Sequence, residues 1–139
     1  MKVVDGNVLL YSINADDSHY KLARRWLRDA LRGTEPLGFS WVVLLAFVRV
    51  ATSPAFESPL TVAQAFDFVE SWLARPVAVI VDPTKRHLAV WRGLIEQSGT
   101  AGNLTTDVHI AALALEHGAE VVTFDRDFGR FGVRHMIPA

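Results

Sequence analysis

Short runs of strand-type residues alternate along this chain with longer stretches of helical periodicity, and that alternation narrows the fold more than any other feature. It points to an α/β architecture built on a mostly parallel sheet. The strand-type runs are Lys2 to Val4, Leu37 to Phe39, Val77 to Val81 behind Pro76, Glu120 to Thr123, and Arg134 to Ile137. A helix is expected over about Ser18 to Leu31, burying Leu22, Trp26 and Leu31. Ser40 offers an N-cap for a second, running to about Ala51. Pro54 and Pro59 bracket a loop, after which Phe66, Val69, Trp72 and Leu73 define a helix over about Thr61 to Leu73. Leu88, Trp91, Leu94 and Ile95 share a face of a helix over Thr84 to Gln97. Gly99 to Asn103 breaks the pattern, and a last helix runs from Thr105 or Thr106 to His117, closed by Gly118. The four tryptophans fall mostly on apolar helix faces and read as core.

A chain of 139 residues suits one domain spanning 1–139, and its hydrophobic half is ample for one core. It has no run near the ~20 apolar residues that a membrane span needs. The first apolar stretch lacks a basic lead and is interrupted by Asp5 and Asn7, so no signal peptide and no membrane association are expected. The absence of cysteine excludes disulfides, thiol nucleophiles and thiolate metal sites, and fits a cytoplasmic location. The five histidines lack zinc-site spacing. With a net charge of −1, any nucleic-acid surface must be a local patch.

In an open parallel sheet, ligands bind beyond the carboxyl ends of the strands. Asp5 follows the first strand, Asp125 and Asp127 follow the fourth, and Asp107 lies in the first turn of the helix leading into the fourth. If the first and fourth strands are neighbours, all four carboxylates converge. Gathered carboxylates repel one another unless a cation neutralises them. Oxygen-only ligation suits Mg2+ or Mn2+, ions that promote attack of water on phosphorus, singly or paired ~4 Å apart. Each acid also has a plain reading. Asp107 suits a helix N-terminus through the dipole, and Asp125 and Asp127 are ordinary turn residues. Together they support a site for phosphate chemistry.

Four segments carry a resemblance. Val3-Val4-Asp5-Gly6-Asn7-Val8-Leu9-Leu10-Tyr11 resembles the first motif of the PIN-domain family, and Ser40 to Val50 the second. Asn103 to Ala114, with Glu116-His117-Gly118, is similar to the helix bearing that family's third acid, and Val122 to Phe131 to the segment bearing its fourth. The likeness spans essentially the whole chain, in order, and most resembles the VapC toxins of VapBC toxin–antitoxin pairs in actinobacteria. It implies about five parallel strands in the order 3-2-1-4-5, flanked by helices. It further implies a Mg2+- or Mn2+-dependent endoribonuclease acting on structured RNA of the tRNA or rRNA class, a homodimer, and inhibition by a VapB-type antitoxin. Asp5, Asp107 and Asp125 would hold the metal, with Asp127 completing the catalytic set. The second motif normally carries a glutamate before its Phe-x-Arg segment, where this chain has Ala46. That departure leaves one- and two-metal arrangements open. It also sustains the alternative of a catalytically weak PIN domain that binds RNA or a partner.

Further residues qualify as substrate contacts. Arg126 and Arg130 flank the fourth-acid segment and suit the RNA backbone. Arg49, one helical turn after Ala46, would orient acids, bind phosphate or form a structural ion pair. Thr106 either offers its hydroxyl to the site or caps its helix, while Asn7, His87 and His109 would support the acids or touch RNA. Lys21, Arg24, Arg25, Arg28 and Arg32 form a basic stripe, either a solvated helix face or a phosphate rail. A receiver domain of two-component signalling would need Asp82 as phospho-acceptor, with an acidic pair after the first strand and a lysine after the last; neither is present. A haloacid-dehalogenase-like phosphatase would need an acid at Asn7.

Overall fold

Val3 and Val4 have no access to solvent, because β1 (Lys2–Val4) is the middle strand of the sheet. β2 (Leu37–Phe39) and β4 (Glu120–Val122) flank it, with Lys2 opposite both Leu37 and Glu120. β3 (Ala78–Ile80) lies beyond β2 and β5 (His135–Met136) beyond β4. The computed structural model describes residues 1–99 and 102–139. Among the described residues the five strands form one parallel sheet in the order β3-β2-β1-β4-β5, as expected. Strands covered on both faces read as continuous apolar runs, which is why no alternation marks the three central ones. Gly38 serves close packing there: a Cβ would stand 2.9 Å from Val81 Cγ1 and 3.2 Å from Val3 Cγ2.

One helix escapes the sequence reading. α1 (Gly6–Ile13) begins directly after β1 and contains the run Val8-Leu9-Leu10. Its start signal is Asp5 itself, whose Oδ1 accepts from Gly6 N–H at 2.7 Å. α2 (Tyr20–Arg32) packs on α1 through Ala23, Leu27 and Leu31. Leu22 and Trp26, expected inside, are only partly covered, because the small Ala23 turns the contact stripe by one residue. The five basic residues of this helix are all exposed.

α3 (Trp41–Ala51) starts at Ser40, whose hydroxyl accepts from Val43 N–H at 3.3 Å. α4 (Val62–Leu73) is closed by a reciprocal box between Thr61 and Gln64. Phe66 does not join Val69 and Trp72 inside but is 49% exposed, and Trp41, expected in the core, is 55% exposed. Trp72 fulfils the core role, its ring 4.8 Å from Phe47 and 6.4 Å from Phe39.

α5 (His87–Ser98) begins later than Thr84 because Thr84 is engaged by Glu116; Leu88, placed on one face with Trp91, Leu94 and Ile95, is 71% exposed whereas Leu94 is buried. Thr100 and Ala101, within the expected break, lie outside the described residues. A 3-10 turn over Gly102–Leu104 then runs into α6 (Thr105–Glu116), whose Val108 and Ile110 to Ala114 are buried. No helix among the described residues is long and apolar enough to cross a membrane.

Candidate active site

The pairing of β1 with β4 brings Asp5 beside the segment that follows Val122. Asp5 N–H donates to Val122 O at 2.9 Å, extending the ladder by one bond before the chain turns into α1. Thr123, fully buried, holds the two strand ends together. Its hydroxyl donates to Asp5 Oδ2 at 2.8 Å and accepts from Asp125 N–H at 3.0 Å. Asn7 braces the same junction: its Nδ2 donates to Thr123 Oγ1 at 3.1 Å, and its Oδ1 accepts from Phe124 N–H at 3.1 Å. Asn7, expected either to support the acids or to touch RNA, thus takes the supporting role by fixing Asp5. The sequence reading does not single out Thr123, although a hydroxyl at a strand end two residues before an acid is an available signal.

The carboxylates stand in an environment that resists their charge. Asp5 is 8% exposed, and burial pushes its pKa above the ordinary carboxylate value. The bonds from Thr123 and Gly6 oppose that rise, and the charge of Asp125 adds to it. Asp107, in the first turn of α6, is pushed up to about 6. Burial is the largest cause, followed by the negative charges of Asp5 and Asp125; Arg130 pulls the other way. Asp125 is the better satisfied: Oδ1 accepts from Asp127 N–H at 2.9 Å and Oδ2 from Arg130 Nη2 at 3.3 Å. Asp127 itself is exposed, and its contact with the cluster is that backbone bond.

The outlying residues separate. Arg130 reaches the acids, whereas Arg126 and Thr106 are exposed. Thr106 does not cap α6, because Leu104 holds the N-cap position and the 3-10 turn leads straight into the helix. Arg49 lies on the exposed side of α3 near Ser53 and Phe56 and has no ion pair among the described residues. His87 and His109 contact each other, ring nitrogens 2.8 Å apart, and His87 also bonds Glu116.

The donor set fits a hard divalent cation: the charges of Asp5 and Asp125 add to the proton affinity of Asp107 and that of Asp125 to Asp5, the thiolate ligands that would favour a softer ion are absent from the chain, and one arginine offsets the charge only in part. Among the described residues, no three histidine, aspartate or glutamate side chains already stand in ligand geometry.

Comparison with known proteins places the fold in a family. A profile of the PIN domain matches residues 2–133. The chain is 51% identical over 136 residues to Ribonuclease VapC37 of Mycobacterium tuberculosis, covering 96% of this chain and 94% of that one. Among solved structures, VapBC2 from Rickettsia felis, bound to a DNA fragment from its promoter, matches with a TM-score of 0.73 at 20% identity, over 99% of this chain and 98% of the other. Mycobacterium tuberculosis VapC20, a toxin that cleaves the sarcin-ricin loop, matches with a TM-score of 0.70 at 18% identity, over 96% of both. The last two likenesses are of fold; the sequence match carries the relationship. The chain belongs to the PIN-domain family and, within it, to the VapC ribonucleases.

Proposed function

We propose that this protein is the toxin of a VapBC pair, a divalent-metal-dependent endoribonuclease that cuts structured RNA of the tRNA or rRNA class in the cytoplasm. The observation that carries the reading is the position of Asp107, where burial first and then the charges of Asp5 and Asp125 raise its pKa to about 6. A strongly perturbed acid facing other acids beyond the strand ends marks a site of chemistry more often than of architecture. Asp5, Asp107 and Asp125 are the residues that would hold Mg2+ or Mn2+, and the ion would neutralise charge on a phosphodiester under attack. The rest falls to side chains. Thr123, Gly6 and Asn7 fix the direction of the Asp5 carboxylate, so binding does not have to order it. Arg130, tied to Asp125 and standing over the Phe131 ring at 5.1 Å, is placed to meet a phosphate at the rim. Arg126 and Asp127 extend that rim into solvent.

Association belongs to the same reading. Trp41 and Leu45 on α3, with Val62 and Phe66 on α4, leave large apolar side chains exposed near the middle of the chain. Such a patch supports a homodimer and a small VapB-type antitoxin as partners, in keeping with solved VapBC complexes of the same fold. Ala46 supports a second reading, a weakly catalytic RNA-binding module, since a methyl group cannot ligate metal. Incubating total RNA with the protein, with Mn2+ or with chelator, separates the two. Cleavage that chelator abolishes supports the nuclease; intact RNA under every metal condition overturns it.

A further inference from the structure

Beside the acids stands an aromatic cluster contributed by three separate segments. Tyr11 of α1 and His19, just before α2, stack with ring centroids 4.7 Å apart and planes 14° from parallel. Phe124, immediately before Asp125, meets both, edge-on to Tyr11 at 5.3 Å and tilted against His19 at 4.8 Å. All three remain partly exposed, unlike Phe39, Phe47 and Phe128, which are sealed in the core. His19 offers the most surface, with 44% of its side chain open.

The cluster is anchored as firmly as the acids. His19 Nδ1 lies 2.9 Å from Asp17 Oδ1, an oxygen that also accepts from His19 N–H at 2.7 Å, so the imidazole plane is fixed. Phe124 is held by its backbone bond to Asn7, the residue that braces Asp5. Tyr11 lies close enough to Asp17 and Asp5 for both charges to raise its pKa, after the larger effect of burial. Tyr20 follows His19, with Arg24 over its ring at 5.6 Å and bonded to its hydroxyl at 2.6 Å. From there the exposed Lys21, Arg24, Arg25, Arg28 and Arg32 run along α2.

Proteins that hold single-stranded nucleic acid combine these two parts, aromatic rings for bases and a basic track for the backbone. Unpaired bases in loops are the ones free to stack on side chains. We propose that Tyr11, His19 and Phe124 form a nucleobase-stacking subsite, which seats one unpaired base of the RNA beside the acids while its backbone continues onto the basic face of α2. The subsite rests on the ribonuclease reading and adds a positional demand to it: the nucleotide next to the cut must be unpaired.

The probes are fluorescein-labelled RNA hexamers of uridine and of adenosine, and the same hexamers with one internal base removed and the backbone intact. The full-length protein is titrated with each in EDTA, so that none is cut. Removing the base at one position should weaken binding about 10-fold, the scale of a base–aromatic stack. His19→Ala, a change at an open position, should lower the affinity of the intact hexamer to the abasic value and leave the abasic affinity unchanged. Tyr11→Leu should do the same, and Tyr11→Phe should restore the preference. Equal binding of intact and abasic hexamers by the unaltered protein overturns the subsite, as does an equal loss for both in His19→Ala. Chelator-sensitive cleavage of total RNA is scored separately. Its presence with no base preference removes the subsite alone, and its absence together with no hexamer binding removes both readings.

Discussion

Asp107 and Glu116 lie near opposite ends of α6, and the protein treats their charges in opposite ways. Burial acts against ionisation at both. At Glu116 it is overcome: Thr84 donates through its hydroxyl at 2.6 Å and its backbone at 2.9 Å, His87 bonds the other oxygen, and the pKa falls below the ordinary value. At Asp107 the neighbouring charges are Asp5 and Asp125, and the pKa climbs to about 6. One end of the helix is satisfied by its own chain; the other is left to be satisfied by something else. A fold that can answer a buried acid with three donors at one end of α6 and does not do so at the other has a use for the unsatisfied one.

The comparison breaks most visibly through activity. Asp5→Asn removes a charge from the unsatisfied cluster without touching the sheet, so cleavage should fall by at least about 100-fold, equivalent to ~2.7 kcal/mol in the transition state. Circular dichroism and the thermal midpoint should stay near those of the unaltered protein. A variant that cuts RNA at an undiminished rate removes Asp5 from the catalytic set.

At the other end the effect should be on stability. Glu116→Gln loses the charge that Thr84 and His87 are arranged around, and charge-assisted bonds of this kind contribute ~2 kcal/mol in total. Denaturant unfolding should show that loss, while cleavage per folded molecule stays within about 3-fold, less than 1 kcal/mol. A collapse of activity at unchanged stability would make the His87–Glu116 pair functional.

The two ends also respond to pH with opposite sign. The folded protein holds the Asp107 proton more tightly than the unfolded chain does, so this group's stabilisation is complete at low pH and is lost as pH rises from about 4 to about 6. The full shift would be worth about 3 kcal/mol; half-exposure to solvent reduces that to ~1.5. Glu116 does the reverse, its contribution disappearing as pH falls through its lowered pKa. Melting curves in EDTA should therefore lose stability between pH 4 and 6, and Asp107→Asn should flatten that limb. Mn2+ should restore stability at the upper end. An unchanged pH profile in Asp107→Asn would show that folding does not raise the pKa of Asp107.

The contrast explains what could be read from the residues and what could not. Asp5, Asp107 and Asp125 are legible as neighbours because parallel topology sends the strand ends and the start of α6 to one edge, and topology follows from the order of elements. Ser40 was legible because a cap is a local device. Thr123 and the Glu116–His87–His109 chain were not, since their partners come from elements distant in sequence and no periodicity announces them. α1 was hidden because its cap is the site acid itself. Trp41, Phe66 and Leu88 follow apolar helical spacing and yet are exposed, because such spacing marks a face without saying whether the chain's own core or another molecule covers it.

The smallest expected effect concerns a residue that stands outside both clusters. Ala46 is partly buried on α3, which packs against α1, the helix that Asp5 caps. A glutamate there would add a fourth carboxylate to the unsatisfied end, sharpening its contrast with Glu116. Extra negative charge strengthens attraction for a cation and raises repulsion without one. Ala46→Glu should therefore tighten Mn2+ or Mg2+ binding in titration calorimetry and raise cleavage about 10-fold, a gain of ~1.4 kcal/mol. The metal-free protein should melt slightly lower, with the difference vanishing once metal is added. Unchanged affinity and rate would mean that Ala46 does not occupy the second-acid position, and that the cation's ligands are complete with Asp5, Asp107 and Asp125.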